Sequence, residues 1–96
     1  MRVRLTPEAQ LELREATQWY ADRSPSAAAG FVVAYKHARA QIADLPRAWP
    51  EVEPGILRVL LRRYPYSLLY CLESDHALVL TVAHQHREWG HWHGRK

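Results

Sequence analysis

The chain is poor in the residues that fix small folds by covalent or backbone means, with one cysteine and four glycines in 96 residues. Cys71 has no second thiol to pair with, which excludes an internal disulfide and fits a reducing compartment. It lies in an apolar run, so an inert buried thiol is expected rather than a nucleophile. No apolar run approaches the roughly 20 residues that span a bilayer. Met1-Arg2-Val3-Arg4-Leu5 carries the charge of a secretory signal, but no apolar stretch follows it, and a cytoplasmic location is expected. Neither sign of charge dominates: the formal net charge is +3, too small to identify nucleic acid or an acidic partner. No Gly-x-Ser-x-Gly elbow occurs, and Ser67 has no identifiable base, which argues against a serine hydrolase. Internal repeats and low-complexity segments are absent.

What is present is ordinary globular material, 48% hydrophobic and 24% charged, enough for one small core and a single domain over residues 1–96. Val3-Arg4-Leu5 predicts a short first strand. Thr6 is a good N-cap, Pro7 suits the first helical position and Glu8 the positive end of the dipole, so a helix opens there. Ala9, Leu13, Ala16 and Tyr20 share its apolar face, with Glu8, Glu12 and Glu15 assigned to the solvent side. Arg23-Ser24-Pro25-Ser26 ends this helix and repeats the cap-then-proline signal. A second helix is expected from Pro25 to about Asp44, burying Phe31, Ala34, Tyr35, Ala38, Ile42 and Leu45. The short connection makes an antiparallel hairpin, and Ala27, Ala28, Ala29 and Gly30 allow a close approach.

The stretch from Pro46 to Gly55 holds three prolines and is expected to be a loop anchored by Trp49. Beyond it the period changes to two: Ile56 to Arg63, Tyr66 to Glu73 and His76 to about His84 read as strands. Ser74-Asp75 makes a tight turn between the last two. The expected fold is α+β: an N-terminal strand, an antiparallel helical hairpin, then a three-stranded antiparallel meander, with both helices on one face of a twisted sheet. Alternation places Arg58 and Arg62 on a face with Ile56 and Leu60, and Leu57, Val59 and Leu61 on the other. In the last strand, Leu78, Leu80 and Val82 alternate with Ala77, Val79, Thr81 and Ala83. Both faces are apolar, yet one hairpin covers only one. The second face calls for a partner, or for the residues after His84 to fold back on it.

Those closing residues concentrate chemistry: His84, His86, Arg87, Trp89, His91, Trp92, His93 and Arg95. Imidazoles at such spacing can bind zinc, but no cysteine and no carboxylate except Glu88 stands at metal spacing, so no metal is expected. Acid–base cleavage of RNA needs only positioned cationic, imidazole or phenol groups around a phosphate. Arg58, Arg62, Tyr66, His84, His86, Arg87 and His91 supply them. A plainer reading makes Arg58 and Arg62 solvated strand residues and Tyr66 and Tyr70 core. Trp89 and Trp92 either dock on the sheet or stack on a nucleobase or partner; a docked Trp92 that closes the fold is the expectation.

Several short motifs recur in a telling order: Val-Arg-Leu-Thr-Pro-Glu-Ala at the start, Trp19-Tyr20 in the hairpin, and Ala28-Ala29-Gly30-Phe31 opening the second helix. Leu45-Pro46, Arg58, Tyr64-Pro65-Tyr66 with Tyr70, and His84-x-x-Arg87 with Trp92 and Arg95 follow. On these residues the chain resembles, over nearly its whole length, the RelE/ParE toxin superfamily of bacterial type II toxin–antitoxin pairs. In that superfamily RelE-like members are ribosome-dependent mRNA endonucleases, whereas the characterised ParE-like members poison DNA gyrase. A RelE-type nuclease usually has Arg where Ser67 stands, often Lys at Leu60, a basic residue at Gln85 and a terminal Tyr at the place taken by His91. The Tyr-Pro-Tyr and His-x-x-Arg pattern is more similar to ParE, although His86 replaces a common Arg and Trp89 a common Pro.

The resemblance implies a cofactor-free ParE-like toxin that inhibits growth through DNA gyrase and is neutralised, in a hetero-oligomer, by a small DNA-binding antitoxin. It implies target binding by Arg58, Arg62, Tyr66, His84, Arg87, Trp92 and Arg95. The antitoxin would lie along the hairpin and the open sheet face, on Leu13, Trp19, Tyr20, Phe31, Tyr35 and Leu60. Two alternatives stand beside it. One is a RelE-like endonuclease with His86, Arg87 and His91 as catalytic groups; the other is a degenerate, non-toxic module that only binds antitoxin.

Overall fold

The computed structural model describes residues 1–95. Its elements run in the order β1 (Arg2–Leu5), α1 (Pro7–Ala21), α2 (Pro25–Asp44), β2 (Glu51–Glu53), β3 (Ile56–Leu60), β4 (Tyr66–Leu72) and β5 (His76–His84). The strands form one five-stranded sheet ordered β1-β5-β4-β3-β2. β1 is parallel to β5, with Arg2 opposite His76 and Leu5 opposite Val79; the remaining neighbours are antiparallel. The α+β class and both helices stand as expected, while the meander carries one strand more. β2 lies between Pro50 and Pro54, inside the stretch expected to be loop. Three residues are too few to show a period, and its pairing depends on a partner strand that follows it in sequence.

Both helices start where their caps dictate. The Thr6 hydroxyl accepts the Ala9 N–H at 3.1 Å and donates to the Leu80 carbonyl at 3.2 Å, so one side chain caps α1 and ties it to β5. Ser24 caps α2 through the Ala27 N–H at 3.3 Å. At the far side of the sheet β3 stops at Leu60, short of the expected Arg63. Arg63 adopts a left-handed backbone with φ 67°, turning the chain toward β4, so Arg62 lies beyond the strand and does not share the face of Arg58. The β4–β5 hairpin closes through the Glu73 N–H on the His76 carbonyl at 2.8 Å.

Two hydrophobic clusters sandwich the sheet. The larger joins Ala9, Ala16, Phe31, Ala34, Tyr35, Ala38 and Ile42 of the helices to Leu57, Val59, Leu68, Tyr70, Val79 and Val82. The smaller lies on the opposite face, where Ile56, Leu69, Cys71, Leu80 and Ala83 pack against Trp92. The second face is therefore covered from within the chain, and its apolar character does not by itself require a partner. Strict alternation in β5 also fails. The register shifts so that Leu69 faces Thr81 while Tyr70 faces Val79, leaving Leu80 as the extra residue of a β-bulge. Past the bulge the faces exchange: Val82 joins the helix-side cluster and Ala83 joins Leu78 and Leu80. Among the described residues no helix is long and apolar enough to cross a membrane.

Candidate functional site

β1 pairs with β5 only as far as Val79, so the rest of that edge of β5 has backbone groups with no strand beside them. Side chains take the missing partner's place. The Leu80 carbonyl accepts from Thr6 at 3.2 Å and from Arg95 Nη1 at 3.1 Å. The Val82 N–H donates to Glu12 Oε1 at 3.2 Å, and the same oxygen accepts from the Thr81 hydroxyl at 2.8 Å and from Arg95 Nη1 at 2.8 Å. Glu12 Oε2 lies 3.5 Å from His91 Nε2 and 4.0 Å from Arg87 Nη1. Glu12 thus reverses its expected solvent position: its side chain is 13% exposed and Arg95 14%. The open edge of β5 beyond Val79 makes this possible, since it leaves the Val82 N–H and the buried Thr81 hydroxyl within reach of Glu12 on α1.

Residues 85–95 leave β5 in a series of tight turns, with Arg87, His91, His93 and Arg95 each donating its N–H to a carbonyl three residues back. Gly90 is required in this path: its φ is +86°, and a Cβ there would meet the His93 ring at 3.0 Å. Trp92, 3% exposed, drops into the second cluster as expected. A second carboxylate holds the outer side of the segment. Glu53 accepts from Trp89 Nε1 at 2.9 Å and faces His93 Nε2 at 3.0 Å. These hydrogen bonds, Trp89 first and then His93, hold the Glu53 carboxyl below its ordinary range. Glu12 and Glu53 therefore clasp the segment from two sides of the sheet.

The clasp builds one wall of a cleft of about 360 Å³ lined by Arg58, Ser67 and Leu69 of β3 and β4 and by Arg87 and Trp89, with Tyr66 and His84 at its border. The Arg58 N–H donates to the Pro50 carbonyl at 2.9 Å, while its guanidinium has no hydrogen bond or ion pair among the described residues. Tyr66 and His84 are cross-strand partners with ring centroids 5.1 Å apart at 87°. His84 Nδ1 accepts the His86 N–H at 3.1 Å, so a neutral His84 carries its proton on Nε2. Burial, and then Tyr20, push the Tyr66 phenol up, which keeps it a donor at neutral pH. His91 is engaged elsewhere, with Nε2 3.0 Å from Thr81 Oγ1 and Nδ1 2.9 Å from the Glu88 carbonyl.

This frame has known counterparts. The model of the ParE toxin of type II toxin–antitoxin systems, parDE, matches residues 3–89. The chain belongs to the ParE toxin family. The toxin's fold is shared with a chain of the chromosomal ParDE toxin–antitoxin system from P. aeruginosa, at 18% identity and TM-score 0.65, covering 88% of this chain and 95% of that one. No curated protein sequence is a significant relative.

In this ParE-type toxin the structure brings together some of the expected target residues and separates others. Arg58 and Arg87 line the cleft with Trp92 behind it, while Tyr66 and His84 border it and a second hollow under α1 with Ala16 and Trp19. Arg62 instead borders a hollow with Arg63, Tyr64, Val33 and His37 on α2. Arg95 is spent on Glu12 and Leu80. His86 is exposed, its ring 5.2 Å from that of His84. Of the hairpin residues, Trp19 is 49% exposed and Leu60 63%, whereas Phe31 and Tyr35 belong to the core. Arg23 covers one face of the Trp19 ring, Cζ 3.5 Å from its centroid. Tyr20 forms the centre of an aromatic group with Phe31, Tyr64 and Tyr66, and Leu13 lines a groove with Val32 and Tyr35 between the helices. Sequence reasoning missed Glu12, Glu53 and Thr81. For Glu12 a signal existed: it is three residues after Ala9 and four before Ala16, hence on the buried side of α1.

Proposed function

We propose that this toxin arrests bacterial growth by acting on DNA gyrase in the cytoplasm, and that a cognate antitoxin neutralises it. The observation that carries the reading is the ParE family match over residues 3–89. The site supports it by what its residues are occupied with. Ser67, Leu60 and Gln85 stand where an mRNA-cleaving relative has basic groups. His91 is tied to Thr81 and the Glu88 carbonyl, and the raised Tyr66 phenol is a poor base at neutral pH. The cleft is better suited to binding than to moving protons.

On this reading Arg58, Tyr66, His84 and Arg87 contact the target directly, and Arg62 extends the basic surface beyond β3. Trp92 and Arg95 act as positioning residues, holding the segment that carries Arg87. The antitoxin lays an amphipathic segment along the hairpin, taking Trp19 and the groove at Leu13 as its apolar anchors and reaching Leu60 at the end of β3. Tyr20, Phe31 and Tyr35 support that surface from below. Inducing the chain in bacteria tests the proposal. Growth arrest is expected, with loss of negative supercoiling in a reporter plasmid, and rescue by the small DNA-binding protein encoded beside it. Unimpaired growth would favour a non-toxic antitoxin-binding module; arrest with intact plasmid topology and cleaved transcripts would favour the endonuclease reading.

A further inference from the structure

The cleft between β3, β4 and the 85–95 segment has an apolar lining of Leu60, Leu69 and Ala83 on which the cationic donors Arg58 and Arg87 stand out. Arg58 lines it with a guanidinium that has no partner among the described residues. Ser67, which shares the Arg58 face through the β3–β4 pairing, lies near it, whereas Tyr66 and His84 border the cleft but turn their rings to the helix side of the sheet. Arg87 closes the rim, held only at 4.0 Å by Glu12 and 53% exposed. Glu12 itself is already saturated by Thr81, Val82 and Arg95, which leaves Glu88 as the one carboxylate among the lining residues. Convergent donors without a matched acceptor are the chemistry of an oxyanion site.

Trp89 adds a second kind of contact. Its N–H is fixed on Glu53 at 2.9 Å and its ring stands edge-on to the buried Trp92, centroids 5.9 Å apart at 85°. The indole is thereby immobilised with 53% of its surface exposed at the mouth of the cleft. A rigid exposed aromatic beside an anion site matches the two parts of a nucleotide, base and phosphate. The volume, about 360 Å³, is at the small end for ligand clefts and accommodates one such unit.

We propose that this cleft binds a single nucleotide unit, its phosphate on Arg58 and Arg87 with a hydrogen bond from Ser67, and its base stacked on Trp89. The site shares Arg58 and Arg87 with the proposed target surface, but its occupancy is read on the toxin alone, so this proposal and the gyrase reading fail separately. The unit belongs either to a free nucleotide or to a single strand, and one titration series distinguishes the two.

Isothermal titration and amide chemical-shift mapping of the whole chain with inorganic phosphate, adenosine, adenosine 5′-monophosphate and a six-nucleotide DNA strand test the proposal. The monophosphate is expected to bind at least about tenfold more tightly than phosphate or adenosine, with shifts at Ser67, Arg87 and Trp89. Arg58→Gln should weaken it about tenfold or more. Trp89→Leu should weaken the monophosphate by a similar factor while leaving phosphate unchanged. Arg62→Gln, outside the cleft, should change neither. Tighter binding of the strand assigns the site to nucleic acid and equal binding assigns it to the free nucleotide; either outcome supports the site. Wild-type affinity in Arg58→Gln, or equal losses in Arg58→Gln and Arg62→Gln, would overturn it, because only diffuse attraction to a basic surface would remain. Near-ultraviolet dichroism from Trp92 verifies that each variant keeps the segment docked.

Discussion

Replacing Glu12 with alanine removes the acceptor for three donors at once: the Thr81 hydroxyl, the Val82 N–H and the Arg95 guanidinium. The Glu12 and Arg95 side chains are 13% and 14% exposed, so water can reach them but cannot fully replace the carboxylate. Orphaning a buried neutral donor costs about 1–3 kcal/mol, and breaking a fully buried charge pair about 3–5 kcal/mol. With partial access by water, the structure implies a loss of about 3 kcal/mol for Glu12→Ala. For a domain of this size that lowers Tm by about 12–24 °C. Glu12→Gln keeps one acceptor oxygen and should lose about half as much. Urea unfolding followed by far-ultraviolet dichroism measures the total. A double-mutant cycle with Arg95→Ala should give a coupling of at least about 1 kcal/mol. If Glu12→Ala stays within about 0.5 kcal/mol of the wild type, or the two changes simply add, the carboxylate does not hold the edge of β5 as described.

Three further outcomes follow from individual side chains. Trp92→Ala should cost about 3–5 kcal/mol and shift Trp89 emission to the red as the segment detaches; a loss below about 1 kcal/mol would contradict its place in the second cluster. Glu53 titrates below its ordinary range because Trp89 and His93 hydrogen-bond to it. Its contribution is therefore complete above the ordinary carboxylate pKa and fades as pH falls through the lowered folded value. A fluorescence titration from pH 6 down should show this acid step, and Glu53→Gln should abolish it. Tyr70 is pushed up to about 12 by burial, its hydroxyl donating to the Pro46 carbonyl at 2.6 Å. Its contribution is complete below the unfolded tyrosine value of about 10 and is lost as pH rises through the folded value. The Tyr70→Phe variant should resist alkaline unfolding better than the wild type relative to its neutral stability.

The helices were legible because their determinants are local. Thr6-Pro7 and Ser24-Pro25 each place a cap oxygen and a fixed φ within four residues of the helix they start. The strands were legible as segments but not in their faces, since the bulge at Leu80 arises from pairing between β4 and β5 and leaves no local mark. β2 escaped notice because an edge strand of three residues is defined by its neighbour. Glu12 shows the limit most clearly. Helical spacing alone sets it beside Ala9 and Ala16, yet a carboxylate is ordinarily solvated. Its partners Thr81 and Arg95 are 69 and 83 residues away. The docking of Trp92 is legible because the second apolar face needs a cover, and the residues after His84 can fold back to supply one. The cleft is legible as a set of residue types, while the division between those that face it and those spent on the clasp depends on the fold.

The central claim is tested most directly by adding the purified toxin to purified DNA gyrase with relaxed plasmid and ATP, and measuring supercoiling and cleaved DNA together. Supercoiling should fall with rising toxin, cleaved complexes should accumulate, and Arg87→Ala should blunt both while remaining folded. Undiminished supercoiling at saturating toxin, alongside transcripts cut on translating ribosomes in a manner lost in His86→Ala, would contradict it.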